Sequence, residues 1–586
     1  MVEVEGGDIN LKGSMGNTPL GWAARNGHEE VVKLLLGRDD IDLDKPDEGG
    51  QTPLWLAASY GHKGVVKMLL GRDDVNPNQP GKCGQTLLSC AARNGREEVV
   101  EMLLGRGDID PDKPDDYGQT PLLRAIGNEG VVKLLLGRDD IDLDKPDNQG
   151  RTPLWCAAGE GYEGVVRLLL DRDGINPDKS DEGGQTPLWL AACYGHKGVV
   201  KMLLGRDDVN PDQPDKCGQT PLSCAARNGR EEVVEMLLGR DDIDPDKPDN
   251  YGQTPLLRSI WNEGVVKLLL RRDDINPNKP DVDGRTPLTE AAYRGYEGIV
   301  RMLLRRQDID PNKPGKDGEP PLRRGASNGN EEVVKMLLGR QDINPNNSDL
   351  SGHTPLWVAA CNGYEGIVKM LLGREDIDAD KANNRGQTPL SSASESGYEG
   401  VVKMLLGRGD VNLDKLDKYG RTPLSCAATN GHEGVVKILL ERHDVNPNKS
   451  NRSGQTPLWW SARHGCEGVV KMLLGRDDVS PDQPDKCGQT PLSCAARNGH
   501  KGVVEMLIER DDVDPGNPDS DDRTPLWWAA RYGKAEVVEM LLGRDDVNPN
   551  TPDNQGQTAL SCAAGNGHTR VIDLLRPSTA AIYSTN

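Results

Sequence analysis

The chain has 586 residues, of which 35% are hydrophobic and 28% charged, proportions typical of a chain that folds around a core. Its 71 Lys and Arg against 93 Asp and Glu give a net charge of −22, which argues against nucleic-acid binding and against a polybasic membrane anchor. No apolar run reaches the roughly 18 residues of a membrane-spanning helix, and the acidic N-terminus has no apolar signal-peptide core. We therefore expect a cytoplasmic protein that does not bind membranes, with the nucleus as the alternative location.

A Thr-Pro-Leu tripeptide, or a close variant of it, marks a repeat along the whole sequence. Its Thr, or the Pro320 that replaces it once, starts 17 repeats, which are 34 residues apart except for two spacings of 32. Such a period is typical of a solenoid, in which each repeat needs its neighbours to bury its apolar side. The sequence predicts one continuous array instead of the four domains that length alone would indicate.

Residues 52–85 show the local structure that we expect of each repeat. Thr52 and Pro53 are favourable at the cap and the first position of a helix, which then runs to Gly61. The apolar residues of a second helix share one stripe at helical spacing: Val65, Val66, Leu69 and Leu70. Gly71 would end this helix, and a long polar loop, which we call the finger, leads to the next Thr.

This pattern resembles the ankyrin repeat. The residues that carry the resemblance are Gly50, Thr52-Pro53-Leu54, Ala57-Ala58, Gly61-His62, Val65-Val66, Leu69-Leu70 and Val75-Asn76. It implies an all-α solenoid of about 17 stacked helix-turn-helix repeats with extended fingers, over residues 13–576. An N-terminal cap segment, residues 1–12, precedes this array, and a C-terminal tail, residues 577–586, follows it. We number positions from the Thr, so that position 3 is the third residue after it. The family has a His at position 3, but this His is absent from every repeat here, and Trp replaces it in six repeats.

Three places depart from the pattern, and we expect kinks or weak points there. Two repeats are two residues short where the first helix meets its turn, near 125–130 and 259–264. The tenth repeat, near 320–326, lacks the capping Thr and has Gly325 inside its first helix, at a cost of about 1 kcal/mol relative to Ala.

No set of residues assembles a catalytic site, so the sequence predicts no enzyme, no cofactor and no small-molecule substrate. Six of the nine His share one position after the first helix, which indicates a structural role. The Cys inside first helices fall in repeats that are not adjacent: Cys90, Cys156, Cys224, Cys426, Cys494 and Cys562. No Cys spacing fits zinc, so we expect free thiols and no metal. Asp108, Asp110 and Asp112 resemble the start of a calcium loop without its Gly and Glu, and we favour a solvated acidic ridge.

The fingers and positions 3, 4, 7 and 8 vary most between repeats, and in the ankyrin family partners usually contact the fingers and the inner face of the first helix. Trp, Tyr and Arg, the residue types that dominate binding hot spots, are densest between 456 and 532. The predicted partner-binding residues there are Trp459, Trp460, Arg463, His464, Arg497, Trp527, Trp528, Arg531 and Tyr532. Earlier repeats add Tyr194, Arg227, Tyr293 and Arg294.

Two alternatives stay open for these residues. The Trp at position 3, such as Trp459 and Trp527, would instead pack between neighbouring repeats, whereas a Trp at position 4, such as Trp460 or Trp528, is expected at the surface. The Arg residues would instead cap carbonyl groups or pair with finger Asp residues.

The resemblance implies a non-catalytic scaffold that binds protein partners along the concave face formed by first helices and fingers. One alternative is an acidic solenoid that responds to calcium or another metal. Another is an interaction module of a larger multidomain regulatory protein, and a purely structural role is also open.

Overall fold

The computed structural model describes residues 8–13 and 16–576. The expected C-terminal tail and most of the expected N-terminal cap segment lie outside these residues. The chain consists of two compact units, with the boundary between Val282 and Asp283. The described residues form helices and no strand, as expected for an all-α fold. None of these helices has both the length and the apolar character that a membrane crossing requires.

In the first unit, the first helices of the repeats are α1 (Pro19–Asn26), α3 (Pro53–Tyr60), α5 (Leu87–Arg93), α7 (Pro121–Arg124), α9 (Pro153–Glu160), α11 (Pro187–Tyr194), α13 (Pro221–Arg227) and α15 (Pro255–Arg258). The second helices are α2 (Glu29–Leu36), α4 (Lys63–Leu70), α6 (Glu97–Leu104), α8 (Glu129–Leu135), α10 (Glu163–Leu170), α12 (Lys197–Leu204), α14 (Glu231–Leu238) and α16 (Glu263–Leu269). First helices contact first helices and second helices contact second helices, so the repeats stack in two layers.

In the second unit, the first helices are α17 (Pro287–Arg294), α19 (Pro321–Ser327), α21 (Pro355–Asn362), α23 (Pro389–Ser396), α25 (Pro423–Asn430), α27 (Pro457–His464), α29 (Pro491–Asn498), α31 (Pro525–Arg531) and α33 (Ala559–Gly565). The second helices are α18 (Glu297–Leu304), α20 (Glu331–Leu338), α22 (Glu365–Leu372), α24 (Glu399–Leu406), α26 (Glu433–Leu440), α28 (Glu467–Leu474), α30 (Lys501–Ile508), α32 (Ala535–Leu542) and α34 (Thr569–Leu575). They stack in the same two layers.

The repeated Thr caps the first helix wherever it is present. Its hydroxyl oxygen accepts a hydrogen bond from a main-chain N–H in the first turn, as Thr52 does from Trp55 at 3.2 Å. Gly61 then ends the helix with φ +81°, a conformation that favours glycine. Gly71, by contrast, follows the second helix in a right-handed conformation, φ −75°, so no left-handed stop is used there.

The core of each repeat is the apolar stripe predicted from the sequence. Leu54, Ala57, Val65, Val66 and Leu69 are all buried, and equivalent residues are buried in the other repeats. The Ala-Ala pair keeps neighbouring first helices close, and burial of each Leu or Val side chain contributes about 1.5–3 kcal/mol. Stacking of repeats therefore provides the core that a single helix pair lacks.

An Arg after most second helices links neighbouring repeats. Arg106 holds Asp108 through two parallel hydrogen bonds of 2.8 Å, and its remaining Nη1 donates to the carbonyl oxygen of Leu70 in the preceding repeat at 2.9 Å. The same arrangement recurs in both units, for example at Arg476, Asp478 and Leu440. The guanidinium forms a second interrepeat link on the side of the second helices.

The three departures from the repeat change the first helix locally. In the two short repeats, α7 and α15 contain four residues each instead of seven or eight. In the tenth repeat, α19 follows Pro320, which has no side-chain cap for the helix. These features locate the expected weak points; whether these places exchange hydrogen faster than their neighbours stays a prediction.

A Thr at residue 320 should restore the missing cap. Pro320 has φ −75° and ψ 160°, close to the −78° and 164° of the capping Thr354, so Pro320→Thr would place its hydroxyl beside the N–H of Arg323. We expect this variant to be about 1 kcal/mol more stable than Pro320→Ala, measured by urea unfolding of the full chain. Equal stability of the two variants would show that the cap is not the weakness of this repeat.

Candidate functional site

The Trp residues at position 3 of the last repeats bridge two repeats. Trp459 is 1% exposed, and its indole N–H donates to the main-chain carbonyl of Gln489 at 3.1 Å; Trp527 is 3% exposed and donates to Gln557 at 3.2 Å. Trp155 makes the equivalent bond to Gln185. The interpretation that these Trp pack between repeats is confirmed, and Trp459 and Trp527 are corrected from contact residues to structural ones.

Trp528, at position 4, is buried, so the expectation that it lies at the surface is wrong. It is 5% exposed, and its indole N–H donates to Oδ2 of Asp519 in the finger at 3.0 Å. Arg523 pairs with the same carboxylate oxygen at 3.1 Å and lies 4.6 Å from the centre of the Trp528 ring. The finger therefore covers the helix at this point and buries the indole ring of Trp528.

Trp460 occupies the equivalent position two repeats earlier but stays partly exposed. Its ring stacks on His464, with centroids 5.9 Å apart, and meets Trp459 edge to face at 5.0 Å. The finger has Asn451 where the later repeat has Asp519, and the Asn451 amide donates to the Gln455 side chain at 2.9 Å instead. The sheltered indole N–H of Trp460 consequently has no hydrogen-bond partner.

Three Arg at position 7 of consecutive repeats form what we call the Arg row: Arg463, Arg497 and Arg531. Each side chain lies over an aromatic ring, which fixes its direction. Arg463 lies 5.4 Å from the ring centre of Trp459, Arg497 4.6 Å from Trp528 and Arg531 5.3 Å from Trp527. These cation–π contacts hold the guanidinium groups in place without neutralising them.

No carboxylate lies within ion-pair distance of the Arg row in the described part of the chain, and α27, α29 and α31 contain no acidic residue. Several first-helix Arg residues elsewhere are paired, although the single position-7 residues Arg25, Arg93 and Arg227 are not. Arg294 pairs with Glu290 at 2.9 Å, and Arg124 pairs with the buried Asp115 at 2.5 Å. The Arg row is therefore a line of three uncompensated positive charges on an acidic protein.

His464 and Tyr532 lie beside this row at position 8. His464 is exposed, and partial burial together with the charges of Arg463 and His500 lowers its pKa, so the imidazole is neutral at pH 7. Tyr532 is 43% exposed, and its hydroxyl accepts a hydrogen bond from Arg497 at 3.3 Å. Partial burial would raise the pKa of Tyr532, but the guanidiniums of Arg497 and Arg531 outweigh it, and the pKa lies below its ordinary value.

The predicted residues of earlier repeats are not joined to this group. Tyr194 and Arg227 are exposed on α11 and α13 of the first unit. Tyr293 and Arg294, on α17, line a polar cleft of about 450 Å³, where Arg294 pairs with Glu290. The structure thus separates the 13 predicted residues into a continuous group on α27, α29 and α31 and isolated positions elsewhere.

The repeated His are structural, as predicted. His500 donates from its ring to the main-chain carbonyl of Arg463 at 2.9 Å, and His568 does the same to Arg531 at 3.0 Å. Each bond ties the turn of one repeat to the end of the preceding first helix. These carbonyl contacts hold the backbone that carries the Arg row.

The expectation that all Cys are free thiols is wrong for one pair. Cys193 and Cys224 are joined by a disulfide, with Cα atoms 5.0 Å apart. Cys193 is at position 7 and Cys224 at position 4 of the next repeat, and these two positions meet throughout the stack. The spacing of the Cys residues at position 4 does not reveal this pair, because Cys193 is at position 7.

The carboxylates that resemble a calcium loop have separate partners. Asp108 is held by Arg106 at 2.8 Å, and Oδ1 of Asp110 accepts from the N–H of Asp112 at 2.9 Å. Oδ2 of Asp112 accepts from the N–H of Asp142 in the next repeat at 2.6 Å. Across residues 8–13 and 16–576, no group of three or more His, Cys, Asp or Glu is arranged to hold a metal ion.

A family model described as ankyrin repeats (3 copies) matches this chain in overlapping segments that extend from residue 1 to residue 586. No curated protein matches the chain. The family match agrees with the stacked helix pairs and with the Thr caps described above.

The two position-4 Trp should respond differently to truncation. Trp528→Ala would leave a cavity and remove the indole hydrogen bond to Oδ2 of Asp519, which would keep only its contact with Arg523, and we expect a loss of about 3–5 kcal/mol in the free energy of unfolding. Trp460→Ala removes a partly exposed ring with no hydrogen bond and should cost less than half as much. Urea unfolding of both variants checks this; equal losses would mean that the contact with Asp519 adds nothing.

Proposed function

Because the chain belongs to the ankyrin-repeat family, we propose that it is a non-catalytic scaffold that binds a protein partner on the exposed side of α27, α29 and α31. Ankyrin repeats are generally protein–protein interaction modules, and this general role is what the family assigns. The family alone does not specify a site, since one fold serves many partners. The location of the site is our inference from the exposed residues, and we place the protein in the cytoplasm, with the nucleus as the alternative.

The observation that carries this proposal is the Arg row with its aromatic neighbours. Arg, Tyr and Trp dominate binding hot spots, and here Arg463, Arg531 and Tyr532 are exposed on two repeats that flank the repeat of Arg497. Stacking on Trp459, Trp527 and Trp528 restricts the Arg side chains before any partner arrives. Side chains that are already ordered lose little conformational entropy on binding, which favours affinity.

The buried Trp have an indirect role in this proposal. Trp459, Trp527 and Trp528 form the support on which the guanidiniums lie, so they position contact residues without touching a partner. The proposed contact residues are Arg463, His464, Arg497, Arg531, Tyr532 and the exposed edge of Trp460.

A photocrosslinking experiment tests the location of the site. A photoreactive amino acid is placed at residue 532 or 464 on the first-helix side, or at Lys471, which is exposed on α28 of the second-helix side. We expect the same partner protein to crosslink from residues 532 and 464 and not from residue 471. Purified partner should then bind the unlabelled chain, and Tyr532→Ala should weaken that binding about tenfold or more, as expected of a hot spot.

The full-length chain serves in every arm, and circular dichroism establishes that each variant is folded. Crosslinking of one partner from residue 471 alone, or unchanged affinity of the Tyr532→Ala variant, would contradict this site.

A further inference from the structure

The Arg row is the only place in the sequence where Arg occupies position 7 in three consecutive repeats. Elsewhere Arg at this position stands singly, at Arg25, Arg93 and Arg227. Because α27, α29 and α31 are adjacent first helices, the three side chains are separated by one helix spacing each, about 8–10 Å. An extended chain in the polyproline II conformation rises about 3.1 Å per residue with three residues per turn, so every third side chain lies on the same side, about 9.3 Å from the next.

We propose that the Arg row binds an extended acidic segment of a partner protein, in which Asp or Glu recurs at every third residue. This inference rests on the proposed function, since it gives the chemistry of the partner at the same site. A guanidinium can hold a carboxylate through two parallel hydrogen bonds, and each of the three lacks such an acceptor within the described residues.

The charge of the whole chain makes this site selective. A protein with net charge −22 repels acidic segments over most of its surface, so such a segment is attracted only where positive charge is uncompensated. The same net charge disfavours nucleic acid, whose phosphates are denser than the spacing of the Arg row. The neutral His464 and the hydroxyl of Tyr532 flank the row and add polar contacts without adding charge.

Two synthetic peptides of equal composition test the spacing. One has the order Glu-Ser-Ser-Glu-Ser-Ser-Glu, and the other places its three Glu together as Ser-Ser-Glu-Glu-Glu-Ser-Ser. We expect the spaced peptide to bind the full chain at least about threefold more tightly, with affinity falling as salt increases. Replacement of the whole Arg row by Gln should weaken the spaced peptide about tenfold or more, since each exposed pair contributes up to about fivefold.

The matched control replaces Arg25, Arg93 and Arg227 by Gln, which changes the net charge equally but leaves the Arg row intact. It should leave the affinity of the spaced peptide unchanged. Equal binding of both peptides, equal loss in the control, or stronger binding of a phosphate-bearing peptide that lacks Glu would overturn the proposal.

The crosslinked partner separates this inference from the proposed function. If the partner still crosslinks from residue 532 after the Arg row is replaced by Gln, with unchanged affinity, the scaffold stands and the acidic segment is wrong. If no partner crosslinks from residues 532 and 464 in the unaltered chain, the proposed site itself is wrong.

A second inference comes from a finger position that holds Asp or Asn in almost every repeat; we call it the clasp position. Asn346 and Asn448 show its complete hydrogen bonding. Oδ1 of Asn346 accepts from the N–H of Asp378 at 2.8 Å, and its amide donates to the carbonyl of Asp376 at 2.7 Å. Asn448 makes the same two bonds to the next repeat, at 2.8 and 2.5 Å.

Asp at the clasp position makes only one of these bonds. Oδ2 of Asp178 accepts from the N–H of Asn210 at 2.7 Å, and Oδ2 of Asp212 accepts from the N–H of Asp244 at 2.9 Å. Oδ1 of each is shielded from solvent and has no hydrogen-bond partner. The same is true of Oδ1 in Asp44, Asp112, Asp144, Asp246, Asp380, Asp414 and Asp482.

The bond to the main-chain N–H fixes one end of the planar side chain in both cases. By analogy with Asn346 and Asn448, Oδ1 of Asp is expected where the Asn amide nitrogen lies, beside a carbonyl oxygen of the following repeat. Two acceptors then face each other with no proton between them.

We infer that Asp at the clasp position is a proton-linked contact: on taking up a proton, its carboxyl donates from Oδ1 to the carbonyl of the next repeat, as Asn does at any pH. Stacking of the repeats then strengthens as the pH falls from neutral into the mildly acidic range.

The ionisation of these carboxyls agrees with this geometry. Burial raises the pKa of Asp178 and of Asp212, and the main-chain N–H donors only partly offset it. The charged group that faces Asp178 is Asp208, and those that face Asp212 are Asp244, Lys247 and Asp242; the Asp residues raise the pKa and the Lys lowers it. A pKa above the unfolded value of about 3.9 means that the folded chain binds the proton more tightly, so stability increases as the pH falls through the folded value towards 3.9.

Reciprocal substitutions test the clasp. Asp178→Asn with Asp212→Asn should raise the melting temperature at pH 7.5 by about 1–2 °C per site, and this gain should shrink at pH 4.5, where the wild-type carboxyls take up protons. Asn346→Asp with Asn448→Asp should lower the melting temperature at pH 7.5 and lower it less at pH 4.5. The Asp178→Ala and Asp212→Ala pair, which loses the bond to the main-chain N–H and cannot form the second one, should lower it at both pH values.

The difference between variant and wild type at each pH removes the contribution of other groups, such as the exposed Asp residues paired with Arg. Equal shifts at pH 7.5 and 4.5, or a lower melting temperature of the Asp→Asn variant at pH 7.5, would overturn the inference.

Discussion

The whole structure depends on the fact that its helices are too short to be stable alone. None of the helix pairs exceeds eight residues per helix, well below the roughly 12–15 residues at which an isolated helix becomes marginal in water. Stability therefore comes from contacts that cross from one repeat to the next. The bonds from Arg106 to Leu70, Trp459 to Gln489 and His500 to Arg463 are of this kind, and each occupies a side chain at a fixed position. Only positions whose side chains are not engaged in these contacts are left available for binding a partner.

At position 4, one finger residue determines whether a Trp is buried within the stack or left partly exposed. Trp460 and Trp528 stand on similar helices, but Asp519 accepts the indole N–H of Trp528, whereas Asn451 directs its amide to Gln455. The indole of Trp528 is thus buried where the finger offers the carboxylate of Asp519, and the indole of Trp460 stays partly exposed where the finger has the amide of Asn451. Trp459, Trp527 and Trp528 therefore support the Arg row from inside the protein, whereas Trp460 stays partly exposed and Tyr532 exposed.

The repeat, its capping Thr and its core could be predicted because they depend on local sequence. The hydroxyl of Thr52 meets an N–H three residues away, and the stripe of Val65 and Leu69 needs only helical spacing. The burial of Trp528 could not be predicted in this way, because Asp519 lies nine residues earlier in a finger whose path the sequence does not specify. The Cys193–Cys224 pair needed the register between repeats, in which position 7 meets position 4 of the next repeat. The alternation of Asp and Asn at the clasp position was visible in the sequence, but its meaning required the orphaned Oδ1 atoms.

Net charge is a poor guide to where this chain can bind, because many of its charges are paired with each other within the stack. The Arg after most second helices is neutralised by an Asp two residues later, as at Arg476 and Asp478, and such a pair contributes little to a distant ligand. Some first-helix cations, such as Arg124 and Arg294, are likewise compensated. Because the same ion pairs recur at fixed positions along the array, a charged group without a partner can be recognised by comparison with the other repeats. The Arg row and the Asp clasps are two sets of polar groups that the stacking leaves incomplete, one at the surface and one shielded from solvent. A carboxylate of a ligand would complete the first set, and a proton would complete the second.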